Sequence, residues 1–152
     1  MFWGGPFSQW YPSLFEVEGI KYNCTEQYMM VKKAGLFGDE NAQLKIMASD
    51  DPREQKRIGR TVENFVPERW NVVAKDIVFR ANMAKFTQNP ECFAYMMNIG
   101  DQEIVEASPE DTIWGIGLSA DDPDAYDKTK WKGTNWLGEV LMMVRDVLKS
   151  GK

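Results

Sequence analysis

An α+β fold is what this sequence predicts: a single compact domain over residues 1–152, mainly helical, with about five to seven helices and a few short β-strands. Three observations carry the prediction. The 152 residues suffice for one sizeable hydrophobic core and are short for two. Apolar residues recur at three- and four-residue spacing along much of the chain, in stretches opened by Thr, Asp or Asn and closed by Gly. Strict alternation of apolar and polar residues is confined to short runs.

Residues 2–12 are rich in aromatics, Gly and Pro and read as an irregular segment pinned by Phe2, Trp3, Phe7, Trp10 and Tyr11. In LFEVEGIKY, Phe15 and Val17 alternate with Glu16 and Glu18, and Glu18-Gly19 supplies a tight turn into Ile20 to Tyr22, which predicts a small hairpin. Thr25 is placed to cap a helix running to about Ala34, with Gly35 as its stop. Asp39 caps a second helix, ENAQLKIMAS. Asp51-Pro52, with Glu54 beyond them, offers a cap, a first-turn proline and a box-like return contact for a third helix over PREQKRIGR.

Pro67 opens the longest helix, whose core face is read from Trp70, Val73, Ile77, Ala81 and Ala84. Asn89-Pro90 restarts the chain as a helix to about Asn98, closed by Gly100. EIVEA is a short strand candidate, and SADDPDAYDKTKWKG is an acidic, turn-rich loop. Asn135 caps a last helix with the apolar stripe Leu137, Val140, Leu141, Val144, Val147 and Leu148.

Composition excludes several kinds of chemistry. The chain has no histidine, so imidazole triads and the usual catalytic zinc sites lose their central residue, and proton transfer falls to carboxylates, lysines or water. Cys24 and Cys92 stand apart without CxxC spacing and read as buried free thiols. A net charge of −5 argues against wrapping a nucleic-acid backbone while leaving room for a local basic pocket. No apolar run approaches the ~20 residues that span a bilayer, and the first residues lack a signal-peptide pattern, so a cytoplasmic location and no membrane partner are expected.

Four stretches carry candidate chemistry, each with a plain alternative. Glu26 and Lys33 lie about 20° apart on one helix face and ~10.5 Å apart along it, with Met29 and Met30 between them. They address the two ends of a ligand, or they are solvated surface charges. A lysine beside apolar groups is a potential nucleophile toward a carbonyl. In KRIGR, Arg57 and Arg60 suit phosphate, or they complement a helix dipole. Lys85-Phe86 reads as a surface lysine beside a buried phenylalanine. EASPEDTIWGIG offers Glu106 and Asp111 as acids, Trp114 as a stacking surface and Gly115 and Gly117 as points of close backbone approach, or else it is a packed turn. Gly138, inside a helix, implies that something comes close to that turn.

In order, FSQW, VEGIKY, TEQYMMVKK, RIGR, MAKF, IVEASPEDTIWGIG and GTNWLG resemble the motifs of the NADAR, or YbiA-like, family over nearly the whole chain. The resemblance implies cleavage of N-glycosidic bonds of ribosylated amines: phosphorylated intermediates of riboflavin synthesis in one branch, ADP-ribosylated guanine in another. It implies a small-molecule ADP-ribosyl or phosphoribosyl substrate, or ADP-ribosylated guanine within a nucleotide or nucleic acid, and no cofactor or metal. Lys33, Glu26 and Asp111 are the catalytic candidates it implies, either with Lys33 as nucleophile and the acids in proton-transfer or orienting roles, or with a carboxylate-activated water displacing the amine. Ser8, Trp10, Arg60, Glu106, Trp114, Gly115, Gly117, Asn135 and Gly138 are the substrate-binding candidates. Three positions depart from the family pattern: Gln9 stands for Asn, Gln27 for His and Met30 for Gln. The departure at Met30 removes a hydrogen-bonding group from the expected pocket face.

Overall fold

A computed structural model of the chain describes residues 1–151. Among these, six α-helices accompany one two-stranded antiparallel sheet, so the mainly helical α+β expectation holds. The chain divides into two compact units, Gln9–Pro90 and Met1–Ser8 together with the residues from Glu91 onward.

The first unit opens with the expected hairpin, β1 (Phe15–Val17) and β2 (Ile20–Tyr22), paired with Phe15 opposite Tyr22. Its turn residues both have positive φ, 52° at Glu18 and 81° at Gly19, the handedness that lets a two-residue turn follow the strand twist. Phe15 stacks on Tyr22 at 5.6 Å, and Tyr22 meets Tyr28 edge-on at 4.9 Å, anchoring the hairpin to α1 (Thr25–Leu36). That helix starts one residue earlier than read, with Cys24 as N-cap and no side-chain cap, and it runs through Gly35. Any Cβ at Gly35 would press on the Gln43 amide, so the glycine serves packing and does not stop the helix.

Asp39 caps α2 (Glu40–Met47) through Ala42 N, and Asp51 caps α3 (Pro52–Gly59) through Arg53 N. Glu54 makes an exposed ion pair with Arg57. The longest helix, α4 (Pro67–Gln88), buries Trp70, Ala74, Val78, Ala81, Asn82, Lys85 and Phe86. Its inner face is therefore turned by one position from the expected stripe, because two polar residues occupy it and periodicity counts only apolar ones.

In the second unit, α5 (Pro90–Asn98) and α6 (Trp136–Lys149) fall where expected. EIVEA is not a strand. Its ladder is a single parallel bridge in which Phe2 N donates to Val105 O at 2.8 Å and Ala107 N donates to Phe2 O at 2.7 Å. Phe7 is buried against Phe2 and Tyr95, while Trp3 is 71% exposed and pins nothing. The acidic loop holds two short 3-10 turns, Pro123–Tyr126 and Lys128–Lys130, capped by Asp122 and Asp127. On α6, Val147 faces outward and Arg145 is buried, its guanidinium donating to the Gln102 carbonyl. No helix is long and apolar enough to cross a membrane among the described residues.

Candidate active site

Within Gln9–Pro90 the candidate residues gather on α1 and the end of α3. Glu26 is buried at 4% exposure in the first turn of α1. Two turns later Lys33 is half-buried, its Nζ 4.5 Å above the Phe65 ring. Burial pushes the Lys33 ammonium below its ordinary value; the Glu26 carboxylate pulls it back up, and the Arg60 guanidinium pushes it down further. Lys33 thus feels the charges of both Glu26 and Arg60, and its neutral amine is less disfavoured than that of a lysine in water. Trp10 is half-buried with the Lys56 ammonium 5.9 Å from its ring.

Gln9 ties the start of α1 to α4 through polar contacts. The Gln9 carbonyl accepts from Glu26 N at 3.0 Å and from Thr25 Oγ1 at 3.1 Å, which fixes the start of α1 and the backbone of Glu26. The Gln9 side chain donates to Met29 Sδ and accepts from Asn82 Nδ2 at 3.2 Å. Lys85, fully buried one turn further along α4, places its Nζ 5.7 Å from the Tyr11 ring. The surface reading of Lys85 is therefore wrong: the apolar half of KF and the lysine both point inward. Cys24 is also buried, and desolvation raises its thiol to about 11, so it stays protonated and donates to Gln55 Oε1 at 3.3 Å.

In the second unit the candidates form a hydrogen-bonded frame. Asp111 is partly buried, and its Oδ1 accepts from Ile113 N at 2.9 Å and Trp114 N at 2.8 Å. Trp114 is half-buried and meets Trp136 edge-on at 5.6 Å. Asn135 occupies the N-cap position of α6 with φ 53°, yet its side chain makes no cap bond. It accepts instead from Glu106 N at 3.0 Å and donates to Ile104 O at 3.1 Å. A Cβ at Gly138 would overlap the Ile104 carbonyl and the Asn135 amide, so the expected close approach to that turn is this bridge. Gly115 allows the Glu106 carboxylate, the Asp111 carbonyl and Ser108 to converge, each 3.0 Å from where its Cβ would stand. Gly117, at φ 72°, faces Lys132 and Thr112. Ser8 is half-buried and donates its backbone N–H to Gly5 O. No group of three His, Cys, Asp or Glu is placed to hold a metal ion among the described residues.

The NADAR domain matches residues 1–149. The chain belongs to the NADAR family. It is 44% identical over 145 residues to an N-glycosidase of Acanthamoeba polyphaga mimivirus, covering 92% of this chain and 85% of that one. It superposes on the solution structure of E. coli YbiA with a TM-score of 0.78 at 27% identity, over 96% of this chain and 79% of that one. A riboflavin biosynthesis protein of Vibrio vulnificus is 28% identical over 145 residues, 95% of this chain but 36% of that longer one. Relatives named N-glycosidases are hydrolases, and membership places this chain in that class of enzyme.

The three departures from the NADAR pattern have structural roles here. Gln27 accepts from Asn23 N at 2.8 Å and donates to Ile46 O at 3.1 Å, a brace between α1 and α2. Met30 is buried against Gly59, where any Cβ would overlap its sulfur, so α1 and α3 approach at this point. Gln9 supplies the hydrogen bonds that seat Glu26. The sequence singles out Lys85 as a surface residue and Gln9 only as a departure from the family pattern, and it gives Asn82, Lys56 and Trp136 no role.

Proposed function

We propose that the chain is an N-glycosidase that hydrolyses the bond between ribose C1 and the nitrogen of an amine or nucleobase, on an ADP-ribosyl or phosphoribosyl substrate, with ADP-ribosylated guanine as the favoured class. The observation that carries this reading is Lys33: a half-buried amine held below its ordinary pKa, beside a buried carboxylate, in a chain without histidine. The C1–O4′ bond breaks as the lone pair of the substrate nitrogen forms an iminium with C1 and O4′ takes a proton, and the Lys33 lone pair adds to C1, its proton passing to the substrate nitrogen. The C1–N bond then breaks, its electron pair leaving on the amine or base. Water adds to the resulting lysine imine and releases the free sugar aldehyde and the amine of Lys33. Glu26 passes protons at C1 and orients the lysine. Asp111 acts as an orienting residue, setting Trp114 through the backbone amides it holds.

The experiment is turnover of ADP-ribosylated guanosine by the wild type, read as guanosine release, with borohydride added during turnover. A ribosyl adduct on Lys33 and no turnover by Lys33→Ala are expected. Full turnover by Lys33→Ala removes the lysine from the mechanism, and release without any trapped adduct favours a carboxylate-activated water. A phosphorylated riboflavin intermediate is the second reading, favoured by the name of the Vibrio vulnificus relative; the same release assay with that substrate class separates the two.

A further inference from the structure

Phe65 lies in the loop between α3 and α4, outside every motif quoted above, yet the Lys33 Nζ stands 4.5 Å from the centre of its ring. The loop before it is fastened. Asp39, whose Oδ1 caps α2, accepts Glu63 N through Oδ2 at 3.0 Å. Asn64 adopts φ 62°, a left-handed backbone that side chains disfavour, directly before Phe65. The Phe65 ring meets the buried Phe37 edge-on at 5.3 Å, and Phe37 carries the Arg69 guanidinium 5.2 Å from its own ring. The contacts run Arg69, Phe37, Phe65, Lys33: two rings with a cation at each end.

Packing on Phe37 accounts for one edge of Phe65. It does not account for a phenylalanine that is 39% exposed standing under an amine, on a loop held at Glu63 and Asn64. An aromatic face attracts an ammonium through its quadrupole and has no comparable attraction for the neutral amine. The ring therefore holds a charged lysine without the directional lock that a carboxylate imposes, and the hold ends when the proton leaves. The other charges around Lys33 do not substitute for it. Glu26, on the same helix, favours the ammonium, and Arg60, at the end of α3, opposes it. From α4, Arg69 is turned to Phe37 and donates to the Leu36 carbonyl at 3.4 Å; at the start of α2, Asp39 is engaged by two backbone amides; on α1, Lys32 lies over the Tyr28 ring at 5.3 Å.

We infer that Phe65 is a positioning residue for Lys33: its ring holds the ammonium in the resting protein and lets the amine go on deprotonation. The inference rests on the glycosidase reading, in which Lys33 attacks C1, and adds to it a residue that the family motifs do not contain.

NMR titration of the isotope-labelled Lys33 side chain, assigned with Lys33→Met, tests the contact without requiring turnover. Phe65→Leu keeps an apolar cover and removes the π face, so at a fixed pH below the midpoint the neutral fraction of Lys33 should rise about threefold, the fold-change of one partly exposed cation–π contact. Phe65→Trp, with the stronger face, should lower it. The acidic limb of guanosine release should move with the titration, faster in Phe65→Leu and slower in Phe65→Trp at the same pH. A neutral fraction that is unchanged in both variants, or that moves in the same direction in both, makes Phe65 a packing residue and overturns the inference; so does a titration that follows the ring while the acidic limb stays still. If Phe65→Trp unfolds, Phe65→Leu decides. Release of guanosine with a titration blind to residue 65 defeats the role of Phe65 and leaves the glycosidase reading standing, while a titration that follows the ring in a chain that releases no guanosine keeps the contact and defeats that reading.

Discussion

The two units hold their candidate residues in different ways. In Gln9–Pro90 the side chains that matter are ionisable groups carried on helices, Glu26 and Lys85 buried and Lys33 half-buried. In the second unit Asp111 and Asn135 are spent on backbone amides and carbonyls, and Gly138 leaves room for the Asn135 bridge. The first arrangement places ionisable groups in buried or half-buried positions. The second fixes a loop against a helix start and leaves little titratable capacity. If the proposed lysine chemistry holds, substitutions in the two should fail differently: in rate for the first, in stability for the second.

Lys33→Met is the largest expected separation of the two effects. Turnover should fall by on the order of 10⁴-fold, the usual consequence of deleting a nucleophile. Stability should rise. The folded-state pKa of Lys33 is depressed below 10.5, so the folded chain disfavours the ammonium relative to the unfolded chain. That cost is fully present below the folded pKa and is relieved as pH rises from there toward 10.5. Thermal unfolding at neutral pH should therefore show a higher Tm for Lys33→Met, with the gain shrinking in alkaline buffer. A lower Tm at neutral pH would make Lys33 a structural residue and erase the contrast.

Gly138→Ala comes next. Its methyl group would overlap the Ile104 carbonyl and the Asn135 amide, both backed by packed chain, so about 3 kcal/mol of stability should be lost by urea unfolding. Asn135→Ala removes the partner of two backbone groups at once and should cost about 2 kcal/mol. Both variants should retain turnover in proportion to the folded fraction. A large loss of rate in fully folded Asn135→Ala would show that the frame also touches substrate.

The sequence made some of this legible. Caps such as Asp39 and Asp51, the Glu18-Gly19 turn and the Pro67 and Pro90 helix starts are local effects of a residue on its own backbone, and they fell where the spacing put them. Gly138 announced a close approach, because a glycine inside an amphipathic helix has no local reason to be there. What stayed hidden was long-range. Asn135 occupies a cap position but bonds across 31 residues to Ile104, and no neighbouring residue signals that partner. Lys85 sits on the inner face of α4, and a stripe read from apolar residues alone cannot include a charge whose surroundings come from the segment at Gln9 to Tyr11. The inner face of α4 therefore lies one position from its apolar stripe.

Asp111 tests the contrast at its finest, with the smallest expected effect. Its Oδ1 alone accepts both amides, from Ile113 and from Trp114, and an asparagine presents an oxygen at the same place without the charge. If the residue acts by holding the turn that sets Trp114, Asp111→Asn should keep turnover within about threefold and stability within about 0.5 kcal/mol, while Asp111→Ala should lose about 1 kcal/mol through two unmet donors. If instead its carboxylate moves a proton, Asp111→Asn should be as inactive as Asp111→Ala, and the flat region of the pH–rate profile should change shape. The asparagine variant thus decides whether the second unit contributes only a frame or shares in the chemistry proposed for Lys33.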